Sequence, residues 1–171
     1  IIGLPDKSLG EAEQRVRGAA ANSSLTLPRR RVTVNLSPAS LPKHGSGFDV
    51  AIAVATLATD GYLDLASLAR TVHIGELGLD GRLRPVSGVL PAVVAAARAG
   101  LTHVVVPRAN EDEARLVEGM TVIGAVTLGD VALWHGAELE PSNLAPVPAA
   151  VVPAPRAFAG DLSEVIGQHE A

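Results

Sequence analysis

Two apolar runs, residues 50–58 and 89–97, constrain this chain more than anything else in it. Each is well short of the ~20 apolar residues needed to cross a bilayer, and the second contains Pro91. Both therefore read as helices buried on nearly every side, around which other layers must pack. Aromatic residues make up only 2% of the chain and hydrophobic residues 47%. The core must then be built from Ala, Val, Leu and Ile. Asp49 precedes the first run, and Gly100 is placed to cap the C-terminus of the second, helical over Val89–Arg98.

Strand signals alternate with these helices. Val32, Val34 and Leu36 alternate with Thr33 and Asn35, which predicts a strand over Arg31–Leu36 with one buried face. Val72–Leu77 and Leu83–Val86 read as two strands joined by a Leu-Asp-Gly-Arg turn, a hairpin signal. His103–Val106 and Thr121–Ala125 are further strands. Leu9, Ala12, Val16, Ala19 and Ala20 recur at helical spacing, with Asp6 or Ser8 as the cap. Short helices are expected at Glu111–Val117, with a solvated acidic start, and at Leu128–Trp134. The pattern predicts an α+β fold, a mixed sheet with helices packed on it.

The 171 residues suffice for one ordinary domain with extensions. Ile1-Ile2-Gly3-Leu4-Pro5 reads as the end of a strand, so the natural chain is expected to begin earlier. After Gly136 the texture changes: five of the twelve prolines fall within 141–155. That composition predicts an extended, semi-rigid linker over 137–160. There is no cysteine, hence no disulfide framework or thiol chemistry, which suits a cytoplasmic protein. Residues 1–90 carry ten basic and eight acidic side chains, and residues 91–171 four basic and ten acidic. The overall charge of −4 argues against a strong nonspecific DNA binder but leaves room for a local basic patch.

Two segments carry a family resemblance: Pro42-Lys43-His44-Gly45-Ser46-Gly47-Phe48-Asp49 and His73-Ile74-Gly75-Glu76-Leu77-Gly78-Leu79-Asp80-Gly81-Arg82-Leu83-Arg84-Pro85-Val86. Together they resemble the proteolytic domain of Lon. In Lon the nucleophilic serine lies two residues after the glycine of the first segment, a position that is Gly47 here. A gap-free alignment carries Lon's catalytic lysine onto Leu90. The combination resembles the N-terminal domain of the Mg-chelatase-like AAA+ proteins of the ComM/YifB family. It covers roughly residues 1–136, and Asp161–Gln168 is similar to the entry of the ATPase module of that group. The resemblance implies the fold shared with the second domain of ribosomal protein S five. It also implies a noncatalytic domain at 1–136, the linker, and the start of a truncated ATPase module at 161–171. The parent would be a hexameric DNA motor acting in branch migration during recombination and natural transformation. RadA-type recombination proteins also carry a degenerate Lon-like domain. Self-association would run through the parent ring, with ATP and Mg2+ held by the missing module and no cofactor here. No membrane partner is implied.

A Ser–Lys dyad needs a lysine that can take the serine proton, and only Lys7 and Lys43 exist. Ser46, three residues after Lys43, leaves a residual peptidase as the alternative; His44 and His73 are its nearest candidates for a histidine base. A tight Gly45-Ser46-Gly47 turn before the helix explains the same residues. A third class is a protein-interaction module of a metal-chelatase-type ATPase. No Gly-Lys pair occurs, so the phosphate loop is absent, and the five histidines show no metal-ligand spacing. The candidate DNA contacts are Arg29, Arg30, Arg31, Lys43, Arg82 and Arg84, set for phosphates rather than stacked bases. For Arg82 and Arg84 the competing reading is pairing with Glu76, Asp80 or Asp49. Three adjacent arginines on alternating faces cannot all be buried.

Overall fold

A computed structural model describes residues 11–37 and 45–149. The caps at Asp6 and Ser8, residues Lys43 and His44, the linker beyond 149 and the segment 161–171 lie outside the described residues. In chain order the elements are α1 (Ala12–Asn22), α2 (Asp49–Ala58), α3 (Leu65–Ala69), β1 (Thr71–His73), β2 (Glu76–Leu77) and β3 (Leu83–Arg84). They continue as α4 (Val89–Arg98), β4 (His103–Pro107), a 3-10 turn at Arg108–Asn110, α5 (Glu111–Ala114), β5 (Thr121–Ala125) and α6 (Leu128–Trp134).

The main sheet has the order β1-β4-β5, with both pairings parallel. Parallel neighbours need long crossovers. The hairpin with α4 supplies the first, and the 3-10 turn with α5 supplies the second. His73 lies opposite Val105, and Val105 opposite Ile123. Successive side chains of a strand point to opposite faces, and β4 is buried on both. Val105 joins the main core with Ala12, Val16 and Ala19 of α1, Val50, Ala53 and Leu57 of α2, and Leu128 and Val131 of α6. Val104 and Val106 join a second core with Val89 and Val93 of α4 and Ala114 of α5. The sheet thus separates two apolar layers, and the small residues of α1 let it lie close against its neighbours.

The first apolar run forms the largely buried helix α2, whereas the second forms α4, which buries only the face of Val89, Val93 and Ala96 and leaves Pro91, Ala92 and Ala95 exposed. Gly100 ends α4 as expected. Its N–H bonds to the Ala97 carbonyl (3.0 Å) and that of Leu101 to Ala96 (3.1 Å), so the last-turn carbonyls are satisfied. Thr127 and Asp130 cap α6 reciprocally.

Four further expectations are corrected. Val72–Leu77 is two strands, because the chain breaks at Gly75 and hands β2 to the hairpin. A Cβ on Gly75 would lie 3.1 Å from Val50 Cγ2 and 3.2 Å from Pro107 Cγ, and its φ is +154°. Only glycine permits that approach and that turn. Leu83–Val86 pairs only over Leu83–Arg84. Pro85 has no N–H, and the Val86 N–H and C=O bond instead to the Asn110 side chain, both at 3.0 Å. Arg31–Leu36 keeps its alternation, with Val32, Val34 and Leu36 half-buried, but among the described residues only Asn35 makes a bridge. An extended segment becomes a strand only where a neighbour pairs with it. The helix at Glu111 ends at Ala114, and its start is solvated only in part: Asp112 is exposed, but Glu111 is buried between Arg108 and Arg115.

Replacing Gly75 by alanine is expected to cost roughly 1–3 kcal/mol through backbone strain and the contact with Val50. Urea unfolding at equilibrium measures it as a lower midpoint at unchanged slope.

Candidate functional site

The loop before α2 is the first candidate. Gly45 has φ +79°, and the Ser46 carbonyl accepts from the Asp49 N–H at 3.1 Å. The Gly47 carbonyl accepts from the Gly75 N–H (3.0 Å), and the Gly75 carbonyl from the Val50 N–H (3.3 Å). These bonds staple the loop to the bend between β1 and β2. A Cβ built on Gly47 would meet nothing within 4 Å, so the backbone leaves room for a side chain at this position. The Ser46 hydroxyl donates to the Glu76 carboxylate. Leu90 stands in the first turn of α4, and its N–H donates to Glu113 Oε1 at 3.0 Å, which fills an otherwise open helix start. His73 turns its Nε2 toward His135, away from any role as a base for Ser46 through that atom.

Beneath the loop lies an ion pair that the sequence reading missed. Asp49 is completely buried, and Arg15 grips it with two bonds, Nε to Oδ2 at 2.6 Å and Nη2 to Oδ1 at 2.9 Å. The Leu77 N–H donates to Oδ2 at 3.1 Å. Burial pushes the Asp49 carboxyl up, against the pull of Arg15 and the Leu77 N–H, while the Arg15 guanidinium is held further up by its bonds to Asp49. The forked geometry with charge-assisted bonds favours the ionised pair. The only local hint was an arginine within the apolar stripe of Ala12, Val16 and Ala19.

The basic candidates fall in two places. Arg29, Arg30 and Arg31 are all exposed. Arg30 is tied to Asp60 at 2.9 Å, whereas Arg29 and Arg31 have no ion-pair partner among the described residues. Arg30 and Arg31 border a groove of about 520 Å³ that Glu13, Val16 and Arg17 of α1 also line. Arg82 pairs with Asp80 at 2.7 Å, which is the pairing weighed above, and Arg84 is exposed. Burial would raise the Asp80 carboxyl, but hydrogen bonds from Arg82 and the charges of Arg82 and Arg84 hold it below the usual range. This hairpin leans on α1 through the Leu79 carbonyl, which accepts from Asn22 Nδ2 at 2.8 Å. Arg17 and Asn22 project about 140° apart around a helix that turns about 100° per residue. The arginine edge and the hairpin therefore flank α1 on different sides and do not form one continuous patch.

A third cluster was also invisible in the sequence. Ser67 Oγ bonds to His135 Nδ1 at 2.9 Å, and His135 Nε2 to His73 Nε2 at 2.8 Å. His135 is completely buried. No third metal-ligating side chain joins the pair among the described residues, and a hydrogen bond between the two Nε2 atoms requires one ring to donate and the other to accept. Neither Ser67 nor His73 lines the grooves bordered by Arg30 and Arg31 or by Tyr62 and Leu139. Burial, then the neighbouring ring of His135, pushes His73 down to about 4; burial lowers His135, partly opposed by Asp64.

Residues 1–110 match the family described as subunit ChlI of Mg-chelatase. The chain belongs to that family. Among its relatives, an uncharacterized protein of Mycobacterium tuberculosis is 44% identical over 171 residues, covering 100% of this chain and 33% of the relative. The competence protein ComM of Haemophilus influenzae is 38% identical over 172 residues, covering 100% of this chain and 34% of ComM. The Lon protease of Salinispora arenicola is 34% identical over 125 residues, 69% of this chain and 15% of Lon. The chain thus spans about a third of the length of its ComM-type relatives. The partial Lon likeness agrees with the α+β architecture and the stapled loop, and the ChlI-type domain is Lon-like in fold.

Replacing Arg15 by methionine leaves Asp49 buried without its cation and is expected to cost about 3–5 kcal/mol, measured by urea unfolding. A second expectation concerns pH. Unfolded histidine takes up its proton near pH 6.5 and folded His73 only near 4, so the unfolded state binds more protons in between. Stability should be full above about 6.5 and fall progressively toward 4, read as a falling thermal midpoint.

Proposed function

We propose that this domain is the noncatalytic, Lon-like domain of a Mg-chelatase-like AAA+ ATPase, which helps the ring assemble and engages DNA through its arginine edge. The observation that carries the first part is chemical. Lon's nucleophile and base positions are Gly47 and Leu90 here, and the neighbouring Ser46 hydroxyl is hydrogen-bonded to the Glu76 carboxylate. A serine nucleophile needs a base aligned on its hydroxyl, and among the described residues Ser46 has the Glu76 carboxylate there, while Lys43 and His44 lie outside them. Gly47 and Leu90 count against the residual-peptidase reading.

Arg29 and Arg31 support the second part. They are exposed cations without an ion-pair partner among the described residues, and a phosphate backbone is a ligand that such groups recognise without base readout. The relative ComM is named as a competence protein, which fits a DNA motor in transformation and recombination. ATP and Mg2+ would belong to the ATPase module of the full-length protein, which would act in the cytoplasm. No helix among the described residues is long and apolar enough to cross a membrane. Arg82 is a weaker candidate because Asp80 already neutralises it.

Fluorescence anisotropy with single-stranded, duplex and forked DNA at low and moderate salt tests this. Binding should weaken as salt rises, and Arg29→Ala with Arg31→Ala should lower the salt slope by about 2, one for each lost phosphate contact. Binding unchanged in that variant, or none at low salt, would move the domain from DNA engagement to ring assembly alone.

A further inference from the structure

His135 ties three elements together at the point where regular structure ends. It follows α6 directly. Its carbonyl accepts from the Asp64 N–H at the start of α3 (2.8 Å), its Nδ1 meets Ser67 of α3, and its Nε2 meets His73 of β1. The Ala137 N–H returns to the Ala132 carbonyl at 3.0 Å, and Ala137 and Leu139 pack on the main core. Beyond them, residues 140–149 have no helix or strand. The grip on His135 therefore decides where the chain leaves the folded body.

We propose that the Ser67–His135–His73 chain is a proton-operated latch at the domain's exit. With neutral rings it fastens α6 and residues 136–139 to α3 and β1, and protonation of the ring pair frees them. The geometry demands this sensitivity. Two Nε2 atoms at 2.8 Å need one N–H between them; if both carry a proton, two donors face each other. A single added proton places a cation at a buried site that no carboxylate touches. The charged groups around it are engaged elsewhere or lie apart. Asp64, which acts on His135, spends its oxygens on the Ala66 and Ser67 N–H groups. Asp49 of α2 is held by Arg15, Asp130 of α6 by its own capping box, and His103 of β4 bonds to Thr102. Arg70, at the end of α3, is a cation and supplies no counter-charge.

Hydrogen exchange on the 171-residue chain tests this, at about pH 7.5 and about pH 5, on either side of the ordinary histidine range. After correction for intrinsic rates, protection over 132–139 should fall about tenfold or more at the lower pH, while Ile52 and Val105 keep theirs. In His73→Gln, which keeps a side-chain donor but does not titrate, that fall should shrink at least about threefold. If that variant does not fold, an NMR titration of both imidazoles in the unaltered chain replaces it, and the rings should titrate together with the loss of protection. Loss of protection everywhere at once, no change with pH, an undiminished fall in His73→Gln, or rings that titrate while the exit stays protected would each overturn the latch.

Discussion

The forked bond between Arg15 and Asp49 is the constraint around which the rest is arranged. It joins α1 to the first residue of α2, and through the Leu77 N–H it reaches β2. A carboxylate without solvent exposure must be paired, or it would lose its charge. Its position fixes the start of α2, hence the path of the Gly45–Phe48 loop, hence the close approach at Gly75. In proteins generally, replacing a buried ion pair by apolar residues of similar volume often conserves stability. What it would discard here is the orientation of three elements by two planar groups.

The loop keeps its backbone with Gly47 and Leu90 at the two positions that the Lon resemblance singles out. Turn, staple and helix start are all present around Gly47, and the space for a side chain is open. At the other position, Leu90, the helix start is closed by Glu113 rather than by a solvent-facing cation. The two positions have thus been settled differently, one by leaving space and one by packing and capping. Structure at this loop does not depend on the groups that would make it reactive.

Much of the fold was legible because it is local. The apolar runs gave α2 and α4, short β-branched runs gave β4 and β5, and the Leu-Asp-Gly-Arg turn gave the hairpin. The misread parts depend on contacts distant in sequence. Nothing near Val72–Leu77 announces that Val50 and Pro107 crowd Gly75, so a single strand was read through the break. Glu111 looked like a solvated helix start because its packing against Gly124 of β5 emerges only in three dimensions, although its arginine partners lie within four residues. Arg15 with Asp49, and Ser67 with His135 and His73, join residues 34, 68 and 62 positions apart, and no spacing rule links them. The exposure of Arg29–Arg31 was foreseeable, since adjacent side chains point to opposite faces. The separation of that edge from Arg82 and Arg84 was not, because it depends on how α1 is turned.

One consequence follows from the position of β4 between two apolar layers. Neighbouring residues Val104 and Val105 answer to different surroundings, one to α4 and α5, the other to α1, α2 and α6. Detaching the α4–α5 layer would bare one side of a strand whose other side still holds the opposite layer in place. The strand therefore acts as a common keel: neither half of the molecule can be stripped away without exposing the spine of the other, and the two halves are bound to melt as one.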